Sequence, residues 1–161
     1  MDIIDDSNEV TNKVIINSEF SKFISESQKG IRIVNKEYFG TTEVVAKPDT
    51  GDFIKWIKSN KPSINLHLPS STRQLVLKSN DFWLPLVYLC NDVTLQMYLN
   101  IVASYLYDRS KGLLKGERTR VHFKAIHQDP DGRIKEFSFE GDSETLEKTI
   151  KKFDINRFME N

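Results

Sequence analysis

The chain has 161 residues, of which 39% are hydrophobic and 29% charged, a composition typical of one soluble globular domain. Its 23 basic residues balance its 23 acidic ones, so the net charge gives no general attraction to nucleic acid or to an acidic membrane surface. The single cysteine, Cys90, excludes an internal disulfide and a zinc site made of several cysteines.

The first residues lack the pattern of a secretion signal. Residues 1–10 are rich in acidic side chains and predict a mobile N-terminal lead. This lead has neither the basic region nor the apolar core of a signal peptide, which favours a cytoplasmic location. Residues 11–161 contain no long linker and no internal repeat, so we expect them to form a single domain.

The next part of the chain predicts several short elements. β-Branched residues indicate strands at Ile31–Val34 and Glu43–Ala46. Asp52 is expected to cap a short helix that follows a turn. Residues Ile64–Leu68 alternate between apolar and polar, which predicts a strand paired with Gln74–Leu77. The inward face of the short helix is predicted to consist of Phe53, Trp56 and Ile57.

The most apolar part of the sequence is Phe82–Lys111, which we interpret as a long, kinked helical segment. Pro85 lies near its start, where the missing N–H costs a helix least, and Asp92 is expected to cap a second helix after the kink. Polar residues interrupt the segment too often for a membrane span of about 20 apolar residues, so we expect no membrane insertion. On the second helix, polar residues four apart form one narrow polar line, made of Asp92, Gln96, Asn100, Ser104 and Asp108.

The last third predicts a hairpin followed by a helix. The turn sequence Asp129-Pro130-Asp131-Gly132 is expected to join strands at Arg120–His127 and Arg133–Phe139. Asp142 is expected to cap the closing helix. The predicted fold class is therefore α+β, with a mostly antiparallel sheet packed against a long, kinked, largely buried helical segment.

The sequence predicts no catalytic residue, no cofactor and no metal. His122 and His127 are five residues apart on a predicted strand, so their side chains point to opposite faces. No pair of histidines has the spacing of a helical metal site, and no glycine-rich loop begins a helix that could hold phosphate. Cys90 has apolar neighbours, which favours an inert buried thiol over a nucleophile.

The polar line has two interpretations. In the first, it is the thin solvent-facing edge of an otherwise buried helix. In the second, it is a candidate binding line for a protein partner or for another copy of the chain, because polar groups within an interface specify partner and register.

A local cluster of basic residues supports a different function. It begins at the end of the apolar segment and continues along both strands of the hairpin, as a nucleic-acid-binding patch would. A solvated basic edge is the simpler explanation. The candidate nucleic-acid contacts are Arg109, Lys111, Lys115, Arg118, Arg120, Lys124, Arg133 and Lys135.

The order of elements in the second half resembles a known class of proteins. A long apolar helix, a basic loop, the hairpin and the junction Phe139–Glu147 follow one another as in the small effector-associated accessory components of bacterial conflict and anti-phage gene clusters. The resemblance covers about the last half of the chain. It implies a non-catalytic accessory component of a multi-protein defence system and carries no catalytic residues over to this sequence.

We therefore expect a non-catalytic accessory or adaptor subunit that docks on a protein partner, within a bacterial anti-phage defence complex if the resemblance holds. The hypothesis depends on the apolar surface of the predicted helix, which is large for so small a domain. The first alternative is a nucleic-acid-binding protein that uses the basic cluster. The second is a small enzyme of unrecognised class whose site includes His122, His127 or Asp129.

Overall fold

The computed structural model describes residues 9–15, 29–34, 36–37, 44–46, 49–68, 73–74, 81–90, 92–110, 120–129 and 131–159. Most of the predicted acidic lead, residues 1–8, lies outside these ranges, and Glu9 and Val10 already belong to a strand. The helices of the described ranges include none that is long and apolar enough to cross a membrane.

The described elements are nine strands and three helices. The strands, in chain order, are β1 (Glu9–Val14), β2 (Ile31–Val34), β3 (Lys36–Glu37), β4 (Val44–Ala46), β5 (Leu66–His67), β6 (Arg73–Gln74), β7 (Phe82–Leu89), β8 (Arg120–Gln128) and β9 (Ile134–Asp142). The helices are α1 (Thr50–Asn60), α2 (Leu95–Ser110) and α3 (Ser143–Met159).

Six strands form the main sheet in the order β1-β9-β8-β7-β2-β5, and β3, β4 and β6 form a smaller sheet. The main sheet is mixed: β7 is parallel to β8, and β2 is parallel to β5, while the other neighbours are antiparallel. Helix α2 connects the parallel strands β7 and β8, which gives a β-α-β unit. The predicted mostly antiparallel sheet is therefore wrong.

The prediction of a long, kinked helical segment is also wrong, because its first part is the strand β7. This strand lies between β8 and β2, and every residue from Leu84 to Cys90 is buried. One face contributes Val87 to the main core, and the other contributes Tyr88 to a second apolar cluster. A strand covered on both faces has a continuous apolar sequence, which resembles that of a buried helix.

Pro85 has a place in β7 that suits a residue without an N–H. The pairing of β7 with β8 shifts between Trp83 and Leu86, so that two residues of β7 stand opposite Phe123 alone. This irregularity is a β-bulge, where a strand can accommodate proline because one residue is left out of the hydrogen-bond ladder. The proline that suggested the start of a helix instead marks a bulge in a central strand.

The predicted hairpin is confirmed. Strands β8 and β9 pair antiparallel, and the turn between them contains Gly132 at φ 85°. Asp129 stabilises the turn, because its Oδ1 accepts hydrogen bonds from the backbone N–H groups of Asp131 and Arg133 at 3.0 and 2.9 Å. Asp142 caps α3 as predicted, accepting a hydrogen bond from the backbone N–H of Thr145 at 2.9 Å.

Two predictions near α1 are corrected. The helix begins at Thr50, two residues before the expected cap Asp52, and Asp49 occupies the N-cap position. Strand β5 pairs with β2, whereas Gln74 pairs with Ala46 in the smaller sheet, so the expected pairing between Ile64–Leu68 and Gln74–Leu77 is wrong. The inward face of α1 is confirmed, with Phe53, Trp56 and Ile57 buried.

One core joins the three helices to the main sheet. Helix α2 contributes more buried residues to this core than any other single element, including Tyr98, Leu99 and Val102, and α3 contributes Leu146. The apolar surface of α2 is thus largely covered within the domain, and the expectation that a partner shares this surface does not hold for the buried face. Any docking role of α2 has to rest on its other face.

Candidate functional site

Helix α2 presents one exposed face to solvent. The helix is capped by Thr94, whose Oγ1 accepts a hydrogen bond from the N–H of Met97 at 3.1 Å. At 3.6 residues per turn, five side chains then lie on the same side of the helix, opposite the core. We call them the α2 face: Gln96, Met97, Asn100, Ser104 and Tyr107.

The α2 face contains the middle of the polar line and two large apolar or aromatic side chains. Asn100 and Ser104 are exposed, and Gln96 is half-buried. Met97 is 43% exposed and Tyr107 is 69% exposed, and both belong to the exposed large hydrophobic side chains of the described residues. The sequence identified the polar residues of this face, but its periodicity assigned Met97 and Tyr107 to the buried surroundings.

The two ends of the polar line are bound to other parts of the domain. Asp92 lies before α2, and its Oδ1 accepts a hydrogen bond from the backbone N–H of Gly30 at 2.7 Å. Gly30 has a φ of 94°, and a Cβ there would lie 1.9 Å from the carbonyl oxygen of Asn65. Asp108 accepts a hydrogen bond from the indole N–H of Trp56 at 2.8 Å. The acidic ends of the line therefore hold α2 in place, and its uncharged middle faces solvent.

A surface groove of about 500 Å³ lies where the end of α2 meets α1. Asp52 is its centre: the carboxylate accepts hydrogen bonds from the Tyr105 hydroxyl at 2.7 Å and from two nitrogens of Arg109 at 2.7 and 3.1 Å. The guanidinium carbon of Arg109 also lies 5.5 Å from the centre of the Tyr105 ring. The groove is lined by Asp52, Lys55, Trp56, Ser59, Asn60, Asp108 and Arg109.

The charges in this network shift the ionisation of its members. Partial burial acts to raise the pKa of Asp52, but the hydrogen bonds from Tyr105 and Arg109, with the charge of Arg109, outweigh it and lower the pKa. Burial raises the pKa of Tyr105 well above its ordinary value, and the hydrogen bond to Asp52 adds to the effect. At neutral pH the network thus holds an ionised carboxylate, a neutral phenol and a guanidinium. These groups satisfy one another, which is typical of a structural link between helices.

The groove was not predicted from the sequence. Asp52 and Arg109 are 57 residues apart, and neither belongs to a local motif that would indicate their contact.

Asp49, at the N-cap position of α1, contacts strand β7. Its carboxylate accepts a hydrogen bond from the backbone N–H of Trp83 at 2.6 Å. Burial raises the pKa of Asp49, which the bond from Trp83 opposes.

The predicted basic cluster is divided in the structure. Lys111, Lys115 and Arg118 lie outside the described residues. Of the others, three lie beside acidic groups: Arg109 pairs with Asp52, Arg120 lies 3.9 Å from Glu140, and Lys135 lies 3.2 Å from Asp129. Lys124 and Arg133 are exposed on the hairpin. The described members therefore give little support to a continuous nucleic-acid-binding patch, and that function stays a prediction.

His122 lies between two carboxylates on the face of the sheet opposite the helices. Its Nε2 is 2.9 Å from Asp81 Oδ2, and its Nδ1 is 3.1 Å from Glu140 Oε1. The ring is stacked on Trp83 with 3.9 Å between centroids. A carboxylate lies against each ring nitrogen, and this arrangement favours a role for His122 in joining β7, β8 and β9.

His127 and Asp129, the other residues of the enzyme hypothesis, are separate from His122. His127 Nε2 lies 2.9 Å from Asn12 Oδ1, and burial lowers the pKa of His127 to about 4, with the charge of Lys135 acting in the same direction. Asp129 belongs to the hairpin turn, where hydrogen bonds from the backbone and the charge of Lys135 lower its pKa against the effect of burial. The three candidates therefore do not form one catalytic centre.

Two further sets of residues bear on chemistry. Cys90 is buried, in agreement with the predicted buried thiol. Within the described ranges, no three histidine, cysteine, aspartate or glutamate side chains are grouped as metal ligands would be.

In the comparisons with known proteins, no protein-family model, no curated protein and no solved structure matches the chain. The assignment of function therefore depends on the geometry alone.

Proposed function

We propose that this protein is a non-catalytic accessory subunit that docks on a protein partner through the α2 face. The observation that carries the proposal is the exposure of Met97 and Tyr107 on a helical face without a charged residue. Methionine and tyrosine are enriched in protein interfaces, whereas lysine, glutamate and aspartate are depleted from interface cores.

The structure of α2 suits a docking helix in two further respects. Its buried face is fixed by the core, and its ends are fixed by Asp92 and Asp108, so the exposed face is held rigidly before a partner arrives. Asn100 and Ser104 lie between Met97 and Tyr107 and offer hydrogen-bonding groups. A partner of matching chemistry has an apolar or aromatic surface with a few hydrogen-bonding groups and few charges.

The resemblance in the second half of the sequence supplies a context for the proposal. In that context the partner is another component of a bacterial anti-phage complex in the cytoplasm, and this chain holds or positions it. The docking proposal itself does not depend on this context, because it rests on the exposed side chains of α2.

The first experiment maps the contact in cells that naturally produce the protein. A photo-crosslinking phenylalanine analogue replaces Tyr107 in one version of the chain and Lys148, on the exposed face of α3, in the control. We expect one partner to be crosslinked from position 107 and not from position 148. Equal crosslinking from the two positions contradicts docking through α2.

The second experiment measures affinity for the partner identified in the first. Met97→Lys and Tyr107→Lys place a charge in the contact, and the purified variants are titrated with the partner by calorimetry. We expect about a tenfold or greater rise in the dissociation constant, because a charge buried without a counter-ion costs several kcal/mol. Lys148→Glu is the matched control and should bind as wild type does. Unchanged binding by both lysine variants overturns the proposal.

A further inference from the structure

Strand β1 forms one edge of the main sheet. It pairs with β9 over six consecutive residues, and no other described strand pairs with it. Of its six side chains, five are exposed, and they include Val10 at 40% and Val14 at 47%. Edge strands of this length are commonly protected by a proline or a bulge. Strand β1 has neither, since its sequence contains no proline and its register with β9 is continuous. Charged side chains also protect edge strands, and β1 carries two of opposite sign, Glu9 and Lys13.

The backbone of β1 directs alternate residues toward solvent. Next to the strand, the N–H of Ile15 donates to the carbonyl oxygen of Ile134 at 2.8 Å. In an antiparallel pair, residues alternate between those that bond to the neighbouring strand and those that point away from it. The odd-numbered residues of β1 therefore bond to β9. The residues whose N–H and C=O groups point toward the free edge are Val10, Asn12 and Val14.

The even-numbered and odd-numbered side chains of β1 lie on opposite sides of the sheet, and this arrangement is complementary to that of a second copy of the strand. Val10 and Val14 lie on one side of the sheet with Asn12 between them, and Glu9 and Lys13 lie on the other. When a second copy of β1, related to the first by a two-fold axis, is placed antiparallel beside it, each valine lies opposite a valine of the other copy, and each glutamate lies near a lysine. Among the described residues β1 is paired on one side only, and a copy of itself fits its other side in this way.

We propose that β1 pairs with β1 of a second copy of this chain, antiparallel and with the two Asn12 residues opposite each other on the two-fold axis. In this register Val10 lies opposite Val14 of the second copy, and all three outward-pointing residues form hydrogen-bonded pairs. Glu9 lies diagonal to Lys13 of the second copy, within reach of an ion pair. The two six-stranded sheets then form one continuous sheet.

This association uses a different surface from the one proposed for the protein partner. Strand β1 lies at the edge of the main sheet, whereas α2 packs on one side of that sheet and carries the α2 face on its solvent-exposed side. A second copy at β1 therefore presents two α2 faces in one assembly. Met97→Lys, which acts on the α2 face, should leave the association of the two copies unchanged.

The test begins with sedimentation of the full chain over a range of concentrations. We expect a reversible monomer–dimer equilibrium. Amide hydrogen exchange, followed by NMR at low and high concentration, then identifies the surface. The amides of Val10, Asn12 and Val14 should become slower as the dimer forms, whereas those of Thr11 and Lys13 should be protected at all concentrations. A monomer up to about 1 mM, or a dimer whose even-numbered amides stay fast, overturns the proposal.

A pair of variants provides an independent test. Val14→Pro removes an N–H that points away from β9, so it spares the pairing within the domain and blocks the pairing between copies. We expect it to raise the dimer dissociation constant about tenfold or more, while Val14→Ala, which keeps the N–H, has a smaller effect. Equal dimerisation by the two variants contradicts the proposal. If Val14→Pro does not fold, the exchange pattern of the wild-type amides decides.

Discussion

Helices α2 and α3 pack against each other and against the same core, but their solvent-exposed faces differ. Both bury leucines completely, Leu99 in α2 and Leu146 in α3. The exposed side of α3 is charged throughout its described part, where Lys148 and Glu144 lie 3.6 Å apart. Among the side chains of α3 that the structure describes, the exposed charged ones are Glu144, Glu147, Lys148, Lys151 and Lys152.

The exposed face of α2 has no charged residue between Asp92 and Asp108. Two neighbouring helices of one small domain thus have similar buried faces and opposite exposed ones. Charged residues cover a helix face that remains in water, because they are well solvated and oppose association. Burial of apolar side chains stabilises both helices. The absence of charge on the exposed face of α2 makes α2, and not α3, the helix suited to contact a partner.

The largest expected effect tests the similarity of the buried faces. Leu99→Ala in α2 and Leu146→Ala in α3 each remove a fully buried side chain and leave a cavity. We expect each change to lower the free energy of unfolding by about 2–5 kcal/mol. Urea unfolding followed by circular dichroism measures both. A loss below about 1 kcal/mol at either position would show that the helix concerned is not part of the common core.

The next effect concerns the beginning of α3. Asp142→Ala removes the acceptor for the N–H and hydroxyl of Thr145, which lie 2.9 and 3.0 Å from its Oδ1. Loss of an N-cap side chain costs about 0.5–2 kcal/mol, so we expect a decrease of about 1 kcal/mol in the free energy of unfolding. Asp142→Asn retains an acceptor and is the control. Equal losses in the two variants would assign the effect to the charge instead of the cap.

A similar effect is expected from the network that joins the end of α2 to α1, in which Tyr105 and Arg109 contact Asp52. Tyr105→Phe removes the hydroxyl that donates to Asp52 at 2.7 Å and preserves the ring packing on Phe53. We expect a loss of about 1 kcal/mol in the free energy of unfolding, the usual net value of such a hydrogen bond. Thermal and urea unfolding should agree. A variant as stable as wild type would mean that the Tyr105 hydroxyl adds nothing to the link that Arg109 and Asp52 make between α2 and α1.

The same network predicts a dependence on pH. Because the pKa of Asp52 lies below its ordinary value, its ionised form stabilises the fold above about pH 4, and this stabilisation is lost as the pH falls through the folded-state pKa. Solvent exposure limits the effect to about 1 kcal/mol or less. Asp52→Asn should therefore be less stable than wild type at pH 7, and the difference should shrink as the pH falls through the folded-state pKa of Asp52. A difference that does not change with pH would exclude the ion pair as its cause.

The smallest expected effect on stability belongs to the α2 face. Met97→Lys and Tyr107→Lys give α2 the kind of charge that α3 has on its exposed side. We expect each to change the free energy of unfolding by less than about 0.5 kcal/mol, as for other exposed positions. Urea unfolding of the two variants, with Lys148→Ala on α3 for reference, provides the measurement. A larger loss would mean that these side chains support the domain itself.

The sequence was sufficient to predict the elements that depend on local signals. The hairpin of β8 and β9 followed from its turn, and the cap at Asp142 followed from an acidic residue before an apolar helical pattern. The inward face of α1 followed from its periodicity. In each case the residues that determine the structure are close together in the chain.

Long-range pairing could not be predicted in the same way. Strand β7 lies between β8 and β2 and is covered on both faces, which explains why its sequence is apolar throughout. Its neighbours in the sheet are far away in sequence, so this position could not be predicted from β7 itself. The same applies to the groove, since the contact of Asp52 with Tyr105 and Arg109 forms only when α1 and α2 pack together. The polar line was visible from its spacing, but the exposure of Met97 and Tyr107 depends on which side of α2 the core covers.

The pairing of β1 with β9 has a consequence for how the domain is made. Asn12 near the beginning of the chain meets His127 across 115 residues, and β1 completes its ladder with the residues just before α3. A ribosome releases β1 well before β9, the strand that receives it. Closing so large a loop is slow. Until β9 has been synthesised, the nascent protein therefore carries an incomplete sheet, and β1 can be added only after that strand is in place.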